Sequence, residues 1–226
     1  MCSRYCLTLP PEAVRTTFGL ASIDPFPPRY NIAPLQPVGV VRHSPRHVPE
    51  FQLVRWGLIP SWLKMPAERA PLINARAETA AGKPSFRGAM RHRRCLVPAT
   101  GFYEWTRRRG ARTPYLIRPR EGGLLALAGL WEHWVGADGS EIETMAILTV
   151  PANAVVQSLH DRMPAILPPA LHADWLDCRS GSSIEAEALL QPVPDERLEA
   201  IALTPHVNDP AHEGPAVQEP AEPRLL

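Results

Sequence analysis

The chain has 226 residues, 45% of them hydrophobic, with 27 prolines and a formal net charge of +1. That apolar fraction excludes a disordered chain, and the length suits one domain around one core. No apolar run approaches the roughly 20 residues of a membrane-spanning helix, and the opening MCSRYCLTLPPEAVRTTFGL is too broken by Pro10, Pro11 and Glu12 for a signal peptide, so a cytoplasmic protein is expected.

In chain order, residues 11–20 read as a short helix with Val14, Phe18 and Leu20 inward, ended by the prolines at 25, 27 and 28. Residues 37–43 and 50–58 read as paired strands joined by a polar turn, and 60–70 as a loop or helical turn. Strand-like runs follow at 94–98 and 101–105, then a hairpin turn at 106–113 around Gly110 leading into YLIRP. Residues 124–135 and 143–150 form a second expected pair through GADGS. Helices are expected at 151–159, 169–177 and 183–190, the second opened by Pro168-Pro169. From Pro205 the tail is proline-punctuated and aperiodic, an extended strap or a frayed end. Strands outnumber helices without alternating with them, which points to an α+β class with a largely antiparallel sheet, as one domain over 1–226.

Charge is unevenly placed. Residues 83–120 hold eleven Lys and Arg against the single acid Glu104, while residues 185–226 carry nine acids and two arginines. A basic middle suggests a phosphate-bearing partner, and equally a solvated surface offset by the acidic tail. Cys2, Cys6, Cys95 and Cys178 form no C-x-x-C pair, so no zinc site is expected and no cofactor is called for.

Cys2 follows the initiator methionine. Removal of Met1 would expose an α-amine and a thiol two carbons apart. The amine has an ordinary pKa near 7.7–8.0, so part of it is nucleophilic at neutral pH. An aldehyde condenses with such an amine to an imine, and the thiolate then closes a five-membered thiazolidine. By position alone an incidental terminal cysteine explains Cys2 as well. Three other segments carry polar chemistry. PLINARAET (71–79) sets Asn74, Arg76 and Glu78 at alternate positions, one face of an extended chain. GFYEW (101–105) places Glu104 between aromatics, where a carboxyl pKa rises and suits acid–base work. LHDRMP (159–164) crowds His160, Asp161 and Arg162, a proton shuttle or a structural pair.

MCSRY, RYNIAP (29–34), WGLIPSW (56–62), PLINARAET, GFYEW, LTV (148–150), SLHDRMPAIL (158–167) and LTPHVN (203–208) occur in this order. The set resembles the SOS-response-associated peptidase (SRAP) family over nearly the whole chain. The resemblance implies a single α+β domain with a curved, barrel-like antiparallel sheet and a DNA groove over the active site. It implies binding of single-stranded DNA at an abasic site and covalent linkage of the N-terminal cysteine to the ring-opened sugar, by a monomer with no membrane partner and, when bound, at the nucleoid. Carried over, Cys2 is the nucleophile, Asn74 orients it, Glu104 and His160 belong to the catalytic centre, and Arg76 meets a backbone phosphate. Arg4, Asn31, Pro34, Trp62, Thr149 and Arg162 sit in motifs lining the groove. Ser3 stands where the family usually has glycine, and Leu63 where an aromatic often follows the second tryptophan. Two rivals stay open: a thiol peptidase using Cys2 and His160, with Met1 as its own substrate, and a non-catalytic reader of single-stranded DNA.

Overall fold

The computed structural model describes residues 2–65, 70–108 and 111–221. The expected removal of Met1 and the arginine-run tip at Arg109 lie outside the described residues, as do the side chains of Arg107 and Arg108.

Chain order runs β1 (Tyr5–Leu7), α1 (Pro11–Phe18), β2 (Arg29–Ile32), β3 (Pro37–His43), β4 (Pro49–Trp56), β5 (Asn74–Arg76), α2 (Ala77–Ala80), α3 (Arg87–His92), β6 (Arg94–Ala99), β7 (Gly101–Arg108), β8 (Ala111–Pro119), β9 (Leu125–Val135), β10 (Glu141–Pro151), α4 (Ala154–Gln157), β11 (Arg162–Pro164), α5 (His172–Leu176), α6 (Ser183–Ala188) and β12 (Leu198–Ala202). The molecule is α+β, with two largely antiparallel sheets and short helices. One sheet is open, in the order β12-β8-β7-β1-β2. In the other, β10, β4, β3, β6 and β9 pair in turn, and β9 pairs back onto β10, closing a five-stranded barrel. β10 runs parallel to β4 and β5, and β5 and β11 flank its end.

The alternating patterns explain the pairs. Val38, Val40 and Val54 turn into the barrel, as do Leu127 and Ile147. The expected strand pairs form, with Val40 opposite Gln52 and Thr144 opposite Glu132. α1 stops at Phe18 because Gly19 takes the left-handed conformation, φ +63°, and caps the helix from its N–H to the Arg15 carbonyl. Gly101 serves close approach: a Cβ there would lie 2.8 Å from the Ile117 carbonyl of the neighbouring strand.

The helix expected at 151–159 shortens to α4, because Pro151 is the last residue of β10 and Asn153 caps the helix by accepting the Val156 N–H. The helix expected at 169–177 divides into a 3₁₀ turn, Pro169–Leu171, and α5. The described tail is a strap: two 3₁₀ turns, Pro205–Asn208 and Pro215–Gln218, bury Val207 and Val217 against Tyr103, Cys6 and Leu116.

Candidate functional site

Cys2, Asn74, Glu104 and His160 come from four separated segments that converge where the two sheets meet. In the open sheet, β1 lies against β7 with Tyr5 opposite Phe102, and the Tyr103 N–H donates to the Arg4 carbonyl at 3.0 Å. Glu104 therefore runs alongside the start of the chain. It shares the inward face of Phe102, since side chains alternate along a strand. From the other sheet, β5 lies beside β10, with Asn74 opposite Ile147. The Trp56 indole N–H donates to the Ile73 carbonyl at 2.9 Å and fixes the segment that presents Asn74. His160 sits in the bend before β11, which pairs with the same end of β10.

Cys2 is 0% exposed. Asn74 Nδ2 donates to the Cys2 carbonyl at 2.8 Å, a direct tie between the two sheets. The asparagine thus holds the backbone of Cys2. Its Oδ1 is buried with no hydrogen-bond partner among the described residues. An unsatisfied buried acceptor costs about 1–3 kcal/mol, so this atom is set for a donor not yet present. The Cys2 Sγ lies 3.7 Å from the Arg4 carbonyl, a weak hydrogen bond.

Burial pushes the Cys2 thiol far up, and the negative charge of Glu104 adds to the shift. The thiol is neutral here and needs a base to become a nucleophile. Burial also raises the Glu104 carboxyl, while His160 opposes the shift. A carboxyl raised toward neutrality, within electrostatic reach of a thiol and an imidazole, suits relayed proton transfer. His160 Nδ1 accepts the Arg162 backbone N–H at 3.0 Å, and Asp161 Oδ1 lies 2.8 Å from the same nitrogen.

The residues expected in the groove divide by exposure. Arg76 is exposed, and its side chain makes no hydrogen bond or ion pair among the described residues. Trp62 is 50% exposed, with its indole N–H donating to the Pro84 carbonyl at 3.3 Å. It heads a groove of about 680 Å³ walled also by Leu35, Arg55, Leu72 and Trp134. Pro34 is half-buried beside Leu35, whose φ of +72° turns its side chain out to the surface. Three others are placed differently from expectation. Asn31 is fully buried, with every polar side-chain atom bonded inside the protein. Thr149 is also fully buried, its hydroxyl donating to the Ala75 carbonyl across the β5–β10 ladder at 3.3 Å. Both brace the backbone through these bonds. Arg162 grips the Glu78 carboxylate with both terminal nitrogens, at 2.5 and 2.9 Å. That pair also corrects the expected common face of Asn74, Arg76 and Glu78: β5 ends at Arg76, and Glu78 leaves on α2 toward Arg162.

Sequence reasoning passed over Arg112, whose guanidinium lies 4.8 Å from the centre of the Trp105 ring, with Arg4 at 5.7 Å from the same ring. The only prior signal was the basic run itself, which does not say which arginine reaches an aromatic. No cluster of three or more His, Cys, Asp or Glu able to hold a metal occurs among the described residues. No described helix is long and apolar enough to cross a membrane.

Residues 1–210 match the family model described as SOS response associated peptidase (SRAP). The chain is 34% identical to the abasic site processing protein YoqW of Bacillus subtilis over 223 residues, covering 97% of this chain and 99% of that protein. It is 32% identical to the abasic site processing protein HMCES of Gallus gallus, covering 87% of this chain and 67% of that one. Among solved structures, a protein from Bacteroides thetaiotaomicron superposes with a TM-score of 0.86 at 26% identity, covering 97% of this chain and 100% of that one. A protein from Bordetella bronchiseptica superposes at 0.79 with 28% identity, covering 90% and 100%.

Proposed function

Because the chain belongs to the SOS response associated peptidase (SRAP) family, we propose that it captures abasic sites in single-stranded DNA as a covalent thiazolidine on Cys2, once Met1 has been removed. The observation that carries the reading is the Asn74–Cys2 hydrogen bond beside Glu104 and His160. It fixes the reactive residue in place and leaves Asn74 Oδ1 free to accept from the α-amine of a processed terminus.

The steps follow from these groups. The abasic sugar is mostly a cyclic hemiacetal. Ring opening breaks the C1′–O4′ bond, with a proton delivered to O4′ and one lost from the C1′ hydroxyl; in this reading His160 carries that proton. The Cys2 amine adds to C1′ and water leaves, giving the imine. Glu104 takes the amine proton and returns a proton to the departing oxygen. It then accepts the thiol proton as Sγ adds to C1′, and the imine nitrogen is protonated as the ring closes. The sum is protein plus DNA minus one water. Holding the amine and thiol over one carbon replaces two encounters by one, an effect worth several kcal/mol of barrier. Arg76 and Arg4 supply cations to flanking phosphates, and Trp62 offers a stacking face. The protein acts as a monomer in the cytoplasm, associated with the nucleoid when bound to DNA.

Intact mass measured after incubation with a single-stranded oligonucleotide bearing one abasic site is expected to equal protein without Met1 plus DNA minus water. Cys2→Ala is expected to abolish this adduct and retain non-covalent binding. An adduct of equal stability in that variant, or none with the native protein, overturns the reading. Multiple turnovers on a peptide would favour the thiol peptidase instead, since a crosslinker is consumed one for one.

A further inference from the structure

Arg4 lies two residues beyond Cys2, and its guanidinium is held almost entirely by the far end of the chain. Nη1 donates to Asn31 Oδ1 at 2.6 Å and to the Val207 carbonyl at 3.2 Å. Asn31 is in turn fixed by the tail: its Nδ2 reaches the carbonyls of Val207, Asp209 and His212 at 3.4, 2.9 and 3.0 Å. The guanidinium faces the Trp105 ring, and that indole N–H donates to Asn208 Oδ1 at 2.7 Å. Both hydrogen bonds that set the Arg4 head group therefore go to a tail atom or to a side chain bonded by the tail.

The geometry has a second consequence. Only Nη1 is committed; Nε and Nη2 make no hydrogen bond among the described residues. The Nε–Nη2 edge is the fork that matches two phosphate oxygens. A free arginine would sample many rotamers, and binding would have to order it. Here that ordering is done before any ligand arrives.

We propose that the tail segment 205–212, gathered by the buried Asn31, is a positioning brace that pre-sets Arg4 to grip one phosphate beside the lesion. Asn31 and Asn208 are positioning residues that act through Arg4 and touch no substrate. The inference rests on the reading of this site as an abasic-DNA site and names how one phosphate contact is made.

The test is a double-mutant cycle on Asn31→Ala and Arg4→Ala, read by affinity for single-stranded DNA with a non-reactive tetrahydrofuran abasic analogue and by its salt dependence. Arg4→Ala is expected to lower the salt slope by the ~0.7 that one single-strand phosphate contact contributes. Asn31→Ala is expected to reproduce most of that loss, and the double variant to bind no worse than Arg4→Ala. Additive losses, or an Asn31→Ala slope equal to that of the native protein, overturn the proposal. Should Asn31→Ala fail to fold, the exposed Asn208 serves: Asn208→Ala is expected to weaken binding a few-fold and Asn208→Asp, which keeps the acceptor, to restore it. Equal binding by native, Ala and Asp forms overturns the brace. A native protein that makes no adduct with true abasic DNA overturns the functional reading instead.

Discussion

The barrel and the open sheet meet at Cys2 but are held together differently. The barrel strands bond to their neighbours all the way round, and their interior is filled by Val40, Leu127 and Ile147, each 0% exposed. The open sheet ends on β2 and β12, and the end at Cys2 is held by side chains: Asn74 from the barrel side, Asn31 and the strap from the tail side. Closure removes edges and concentrates stability in backbone bonds and packing. An open sheet lets a chain terminus enter between two layers, and its geometry then depends on single polar contacts. Substitutions on the two sides should accordingly separate folding from chemistry.

The largest effect is expected from Leu127→Ala inside the barrel. It should lower unfolding free energy by about 2–5 kcal/mol in urea titration, while the fraction that stays folded keeps the native adduct rate. A matching loss of adduct rate would show that the two regions are not separable. Asn74→Ala should do the reverse. It frees the Cys2 backbone and is expected to slow adduct formation on the order of 10²-fold in rapid-quench measurements, the scale of a small misplacement of reacting groups. Its urea midpoint should move little, because the lost hydrogen bond is worth only about 1 kcal/mol.

Trp62→Ala tests the exposed groove. Half of this side chain already meets solvent, so the melting temperature should hardly change, while affinity for single-stranded DNA falls by about 1–3 kcal/mol if a base stacks there. Unchanged affinity would remove Trp62 from the binding surface. The smallest effect concerns Glu104. Burial raises its carboxyl above the ordinary value. The folded form therefore favours the protonated acid, and the associated stability is full below the ordinary carboxylate range and lost as pH rises through the raised value. Glu104→Gln lacks that loss. Its melting temperature should exceed that of the native protein by a few degrees near pH 8, with the gap closing toward pH 4. A gap independent of pH would show that ionisation of Glu104 is not what burial opposes.

Much of the fold was legible in the chain because its signals are local. PVGVVRH and ETMAILTV read as strands and residues 11–20 as a helix, which Gly19 ends two residues sooner than expected. The helix expected at 151–159 was not legible, since β10 overrides local preference by carrying Pro151 on its edge against β11. A raised carboxyl at Glu104 was expected from its aromatic neighbours; burial raises it in the folded chain.

For the site, residue types and motif order named Cys2, Asn74, Glu104 and His160, because side-chain chemistry is written in the sequence. The sequence could not tell that Asn74 would bind a carbonyl, that Glu78 would leave its strand to pair with Arg162, or that Asn31 and Thr149 would be buried braces. Those outcomes depend on which faces of β5, β7 and β10 meet, and on where the tail crosses β1. Residues some 30 to 200 positions apart decide them, and only closure of the barrel against the open sheet brings such residues within hydrogen-bond reach.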